Sequence, residues 1–431
     1  CKLEDMFDLL EGISIEKVSL AWNSSVPVVC LQLAQYLTVA EERGISQGLL
    51  KGTVQNDPLH GSICSSRVSV PIELSVKLAV DVIEYCTRNM PLYYTGNVNL
   101  YDLRETGIDA AQEVAFGFSI AKEYIRKALE RGLDIDDFAP RRAFYCSSHM
   151  DFFEEIAKLR SARRLWARIM KEEFGAKDPR SVQFRFGVHT AGCSLVPQQP
   201  LNNALRISYQ AMAAVLAGVQ SLHCCSYDEP ISLPTEESQR LAIRTQQILA
   251  YETGVAKVSD PLGGSYYLES LTDEIEERAS GIIDQIDEQG GMIKAMMSGW
   301  IDAEVEKAAL GYQKEVDSGE RTIVGVNRFE SDPENETPGG IHRPSYDRGQ
   351  EITDRVTEFK SNRDMARAEK AIDVLRDHAE MGEKENLLPY IVEAVKADLT
   401  NGEIIGTIRE VWGLPYDPLE VRESPFQKVA T

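Results

Sequence analysis

"VQSLHCCSYDEP", residues 219–230, places a short apolar step against a histidine, two adjacent cysteines and an acidic pair. Gln220–Leu222 reads as a buried strand, and His223, Cys224, Cys225, Asp228 and Glu229 crowd the point where it ends. The next periodic stretch, Glu236–Thr253, reads as a helix stopped by Gly254, since glycine just past the last turn is the expected stop signal.

The same unit recurs upstream. Val18–Asn23 leads to a helix at Val28–Arg43, ended by Gly44, and Lys51–Gln55 leads to Ile72–Arg88. An extended stretch near Val98 leads to Ala110–Arg131, ended by Gly132. Ala143–Tyr145 leads to Phe152–Phe174, ended by Gly175, and Val182–Val188 leads to Asn203–Ala217. Six strand–helix units in succession predict parallel strands with right-handed crossovers. Their spacing, roughly 40 residues each, predicts an α/β fold of the TIM (β/α)8 type rather than a small doubly wound sheet. Six units do not close such a barrel, and the chain opens on Cys1 without Met, so an upstream part is expected. Residues 1–265 are assigned to the partial barrel, 266–329 to a helical extension, 330–349 to a linker and 350–431 to a C-terminal helical segment. Helices are expected at Asp273–Gln289 and Ala303–Asp317, then near Val356–Glu380 and Leu387–Val411.

Composition excludes several partners. The 431 residues carry 46 Lys and Arg against 68 Asp and Glu, a net charge of −22. Nucleic acid and anionic membranes need a basic face that such a chain lacks. No apolar run is long enough to span a bilayer, and the start does not resemble a signal peptide. The eight cysteines show neither metal-site nor disulfide-framework spacing, which predicts reduced thiols and a cytoplasmic chain with no metal site of its own.

In a parallel barrel the active site lies at the carboxyl ends of the strands. Those ends are polar here: Asn23–Ser24, Thr53–Asp57, Asn99–Asp102, His189–Thr190 and His223–Cys225. Each also has a plainer reading. Asp102 opens Asp-Leu-Arg-Glu, a capping-box pattern, and could cap a helix. Cys224 and Cys225 could be small buried fillers, and His223 could bond backbone in the core. Asp228–Glu229 could be the solvated start of the next helix, and Arg160–Arg164 a solvated helical face. Ser65 and Ser66 have no partner at triad spacing.

Longer motifs are more specific. "GTVQND" (52–57), "FAPR" (138–141), "AKLRSARRLW" (157–166), "PLNN" (200–203), "AMAAVLAGVQSLH" (211–223), "DPLGGSYYLESLT" (260–272) and "VGVNRF" (324–329) run in order along the chain. In these the chain resembles the methylmalonyl-CoA mutase family of adenosylcobalamin-dependent acyl-CoA mutases, and in particular their large subunits. The resemblance implies an eight-stranded barrel that threads acyl-CoA along its axis and is capped by cobalamin. It implies that the first two strands and a pocket tyrosine lie upstream. It places Thr53 and Gln55 in the substrate pocket, Arg141 on CoA and Gln220 in the pocket. It places Glu105 and Glu229 against the cofactor, and makes Tyr101 the residue that helps drive the adenosyl group off cobalt.

The departures gather at the acyl end. Asp102 stands where the family has a histidine beside the thioester carbonyl, and Ser65 where an arginine clamps the methylmalonyl carboxylate. His189 replaces a glutamine, and Cys225 and Tyr94 replace asparagines. A desolvated carboxylate needs a bidentate cation, so the pattern implies radical 1,2-rearrangement of a differently functionalised acyl-CoA. Either a protonated Asp102 or His189 would polarise the thioester. The family's Asp-x-His-x-x-Gly cobalt motif is absent from the six histidines, which implies a separate small cobalamin-binding subunit in a homo- or hetero-oligomer. A non-catalytic scaffold subunit and a cobalamin-independent barrel lyase are the alternative readings.

Overall fold

The computed structural model describes residues 2–24, 27–65, 70–331 and 346–426. Ser66 and residues 332–345 of the expected linker lie outside them. Among the described residues seven strands are formed: β1 (Ser19–Trp22), β2 (Lys51–Val54), β3 (Tyr93–Tyr94), β4 (Gly96–Asn99), β5 (Arg142–Ser148), β6 (Phe186–Thr190) and β7 (Ser221–His223). They make two sheets, ordered β1-β2-β3 and β4-β5-β6-β7. The pairs β1–β2, β2–β3, β5–β6 and β6–β7 are parallel. The fold class is therefore α/β with parallel strand–helix units of the TIM type, joined by a helical C-terminal part. The third unit's strand is divided at Thr95 into β3 and β4. β6 begins later than expected because residues before it form turns: Asp178 O accepts from Ser181 N at 2.9 Å and Arg180 O from Gln183 N at 3.4 Å.

The chain divides into two compact units. The first comprises Cys1–Asn97, Tyr124–Arg142 and Ser345–Thr431. Its helix Val28–Glu42 is buried along most of its length, as a helix apolar on every side must be, and packs against Leu388–Lys396. The two C-terminal helical stretches each break in two. Asp364 caps Met365–Glu380 by accepting from Arg367 N at 3.1 Å, which ends Tyr346–Asn362 just before it. Asp398, at φ 60°, stops Leu388–Lys396, and a Thr400–Glu403 capping box starts Asn401–Val411.

The second unit comprises Val98–Glu123 and Ala143–Pro344. Phe144 and Trp166 pack at 4.7 Å and Phe118 and Trp166 at 5.1 Å between ring centroids, fastening β5 to its helices. The helix expected at Asp273–Gln289 already begins at Tyr266. It lies along Phe152–Glu172, and this corrects the reading of Arg160–Arg164 as a solvated face. Arg160 pairs with Asp260 and with Glu269 at 2.6 Å; Arg164 pairs with Asp273 at 2.7 Å and Glu276 at 2.6 Å. The basic run is matched to acids more than 90 residues away in sequence, which helical periodicity does not reveal. Among the described residues no helix is long and apolar enough to cross a membrane.

Candidate functional site

Five of the expected residues lie in the first unit. Thr53 is on β2, next to Gly52, where a Cβ would come 2.1 Å from Leu20 O; that close approach of β1 requires glycine. The Thr53 hydroxyl is buried without a hydrogen-bond partner among the described residues. Gln55 follows β2 and is half-buried, its Nε2 3.3 Å from His60 Nε2. Tyr94 is half-buried on β3, and Ser65 is exposed at the end of helix Pro58–Cys64. Arg141 donates to Pro91 O at 2.8 Å and Asp137 O at 2.5 Å.

The others lie in the second unit. Tyr101, Asp102 and Glu105 share one short helix, Leu100–Glu105. Asp102 is not its cap. Asn99 is: its Oδ1 accepts from Asp102 N at 3.1 Å, while its Nδ2 donates to Asp102 Oδ2 at 2.8 Å. Asparagine caps as well as aspartate does, and the Asp-x-x-Glu spacing masked it. The loop after β6 returns to this helix. Gly192 N donates to Tyr101 Oη at 3.3 Å, and Cys193 N to Glu105 Oε2 at 2.7 Å. A Cβ on Gly192 would stand 3.0 Å from Tyr101 Oη, 3.2 Å from Glu105 Oε2 and 3.8 Å from Glu229 Cγ, so these three side chains gather closely round this backbone. Glu105 Oε1 is buried and unpartnered among the described residues. Burial, and to a lesser degree Asp102, raises the Glu105 carboxyl above the ordinary range. Burial, then Glu105, raises the Tyr101 phenol.

His189 stacks on His223 at 4.3 Å and 20°, and packs against Tyr101 at 4.3 Å. Its Nδ1 is 2.7 Å from Thr190 O. A carbonyl only accepts, so Nδ1 carries the proton and Nε2 presents a lone pair. Burial, then His223, pushes its pKa down to about 4, which leaves a neutral imidazole at neutral pH. His223 is exposed rather than a core residue, and β7 shows alternate exposed positions instead of a buried strand. The cause is its place at the end of the sheet order.

Cys225 N donates to Thr190 Oγ1 at 2.8 Å, and its Sγ lies 3.1 Å from Thr190 O. Cys224 packs among Leu195, Ile207 and Ala211, so the filler reading fits it. Burial lifts both thiols to about 12, which makes them poor nucleophiles. Asp228 is buried and accepts from Thr235 N at 3.2 Å, so it is not a solvated helix start; Glu229 is exposed. Gln220 sits at the other end of the sheet, its Oε1 accepting from Phe186 N at 2.8 Å where β6 begins. Sequence reasoning missed Asn99 as the cap, a local contact to Asp102, and missed Gly192 and Cys193, whose roles depend on a loop closing over a helix about 90 residues earlier. Among the described residues no cluster of three or more His, Cys, Asp or Glu could hold a metal.

Next to that loop a cavity of about 410 Å³ is lined by His149, Cys193, Tyr209, Tyr312 and Arg321. Burial, then Arg104, Lys158 and Arg321, pushes the His149 pKa down from 6.5 to about 3. A base depressed in the folded state contributes stability above its unfolded pKa and loses it as pH falls towards the folded value. Acidification from pH 7 to 5 is expected to remove ~2 kcal/mol through His149 alone. Urea melts across that range check this, and His149→Gln should flatten the slope; an unchanged slope in the variant refutes it.

Parallel strand–helix units, with a tyrosine, carboxylates and a neutral histidine where strands end, define the class: an α/β protein of TIM-barrel type with its polar site at the strands' carboxyl ends. The family model described as methylmalonyl-CoA mutase matches residues 1–414, and the chain belongs to the methylmalonyl-CoA mutase family. It is 42% identical over 413 residues to methylmalonyl-CoA mutase of Rhizobium meliloti (strain 1021), covering 95% of this chain and 57% of that protein. It is 39% identical over 413 residues to the 2-hydroxyisobutanoyl-CoA mutase large subunit of Aquincola tertiaricarbonis, covering 95% and 73%. Against the mitochondrial methylmalonyl-CoA mutase of Homo sapiens it is 38% identical over 411 residues, covering 95% and 54%. The chain thus spans little more than half the length of most of these relatives.

Proposed function

We propose that the chain is the acyl-CoA-binding large subunit of an adenosylcobalamin-dependent acyl-CoA mutase, a cytoplasmic isomerase that works with a small cobalamin-binding subunit. The observation that carries the reading is the cradle at Gly192. Tyr101, Glu105 and Glu229 surround it, and Glu105 holds a buried oxygen with no partner among the described residues. Such acceptors fit the hydroxyls of an adenosyl group. The cofactor, when bound, supplies the radical that starts a 1,2-rearrangement. Cobalt is assigned to the partner on the likeness to a relative named as the large subunit of a 2-hydroxyisobutanoyl-CoA mutase, a name that implies a small one.

This chain's own residues bind, orient and exclude water. Thr53, Gln55, Tyr94 and Arg141 are assigned to acyl-CoA, with Gln220 at the opposite end of the second sheet from His189 and Cys225. Ser65 is assigned to the acyl end. Neutral His189, with Nδ1 bound to Thr190 O, can only accept at Nε2. It therefore does not donate to a thioester carbonyl through Nε2.

The full-length chain, mixed with a cobalamin-binding small subunit, is expected to rearrange an acyl-CoA only when adenosylcobalamin is added. Turnover without cobalamin would favour the lyase reading. A loaded complex inactive on a broad acyl-CoA panel would favour the scaffold.

A further inference from the structure

Behind Gln55 runs a buried line of polar groups that the mutase reading leaves unused. Asp57 caps helix Pro58–Cys64, and the third residue of that helix, His60, is 5% exposed. His60 Nδ1 is 2.5 Å from Asp57 O and 3.2 Å from Asp57 Oδ2. The Tyr124 hydroxyl donates to Asp57 Oδ1 at 2.8 Å. The Arg142 guanidinium lies 5.4 Å from the Tyr124 ring centre, fully buried and without a hydrogen-bond partner among the described residues. A buried cation beside this tyrosine favours negative charge on Asp57. Both groups facing Nδ1 are acceptors, so Nδ1 bears the proton and Nε2 a lone pair. Whatever meets Nε2 at 3.3 Å must donate, and that is the Gln55 amide nitrogen.

The two ends of a glutamine amide have nearly the same shape, so only their partners decide which way it faces. We propose that His60 is a positioning residue: it takes the Gln55 NH2 and leaves Gln55 Oε1 to accept a hydrogen bond from the ligand. This rests on the assignment of Gln55 to the acyl-CoA site. It deepens that assignment by naming the ligand chemistry, an N–H or O–H donor. The donor is either a pantetheine amide or a hydroxyl on the acyl group.

The test uses the full chain with its small subunit. His60→Leu removes the acceptor, and His60→Gln keeps one. His60→Leu is expected to raise KM for acyl-CoA about tenfold with kcat within about threefold, and His60→Gln to restore most of it. In a Gln55→Leu background, His60→Leu should add nothing. A loss of the same size in both backgrounds would mean that His60 acts only through stability, and would overturn the proposal. Comparing a 2-hydroxyacyl-CoA with its deoxy analogue separates the two donors: an effect confined to the hydroxylated substrate assigns the acyl hydroxyl, an equal effect the pantetheine amide. Long-range ¹H–¹⁵N spectra of the imidazole read the tautomer whether or not the chain is a mutase. An Nδ1–H signal supports the proposal and an Nε2–H signal overturns it, so its failure is told apart from failure of the mutase reading.

Discussion

Methylmalonyl-CoA is expected to be turned over at least about a hundredfold less efficiently than the enzyme's own substrate. The positions proposed for the acyl end are Ser65, Tyr94, Asp102, His189 and Cys225. None is a cation at neutral pH, since burial holds His189 down to about 4. Cys225 is a buried thiol lifted to about 12, and Asp102 is a carboxyl tethered by Asn99 at 2.8 Å. None of these five residues is a guanidinium that could offset the desolvation of a substrate carboxylate, a deficit of several kcal/mol. Ser65→Arg is the direct check. It should improve kcat/KM for methylmalonyl-CoA more than for a neutral acyl-CoA, assayed with the assembled holoenzyme. Efficient wild-type use of methylmalonyl-CoA, or an unchanged preference in the variant, would remove Ser65 from specificity.

The features that set this preference differ in how far they could be read from the chain. The strand–helix alternation was legible because each unit carries its own periodicity and glycine stop: Gly44, Gly132, Gly175 and Gly254 all have the positive φ expected after a helix. Ser65 and Asp102 stood out against the family's pattern. What sequence could not give is partnership across the chain. Asn99 took the capping role that Asp102 mimicked. The tautomer of His189 is set by the carbonyl of its own neighbour, Thr190, a matter of local backbone geometry rather than residue type. Arg160 and Arg164 looked solvated because their acids, Glu269 and Asp273, lie on a helix more than 100 residues on.

The same blindness hides a buried cation that ties the second unit's β5 to its helices. Lys158→Met is expected to destabilise the chain by about 3–5 kcal/mol. Lys158 Nζ lies 2.7 Å from Glu113 and 2.8 Å from Ser147 O on β5, and also pairs with Glu155. All three side chains of this triad are essentially inaccessible. Glu113 also accepts from Ser147 N at 2.9 Å, so the cluster fastens the strand that leads to His149. Arg104 is the other cation nearby, 3.7 Å from Glu113 and 3.9 Å from Glu155, with Glu154 at 3.6 Å. Three carboxyls against two cations leave one acid in excess, and burial accordingly raises the Glu113 carboxyl while its acids raise Lys158. An acid raised in the folded state contributes stability that is complete below its unfolded pKa and is lost as pH rises through the folded value. Removing Lys158 raises Glu113 further, so the variant's deficit should be larger at pH 8 than at pH 5. Adding Glu113→Gln and Glu155→Gln to Lys158→Met should recover much of it, because neutral groups need no buried counter-charge. Denaturant melts at both pH values decide the matter: a deficit under about 1 kcal/mol, or one independent of pH, would show that the cluster's charges are not what holds β5 in place.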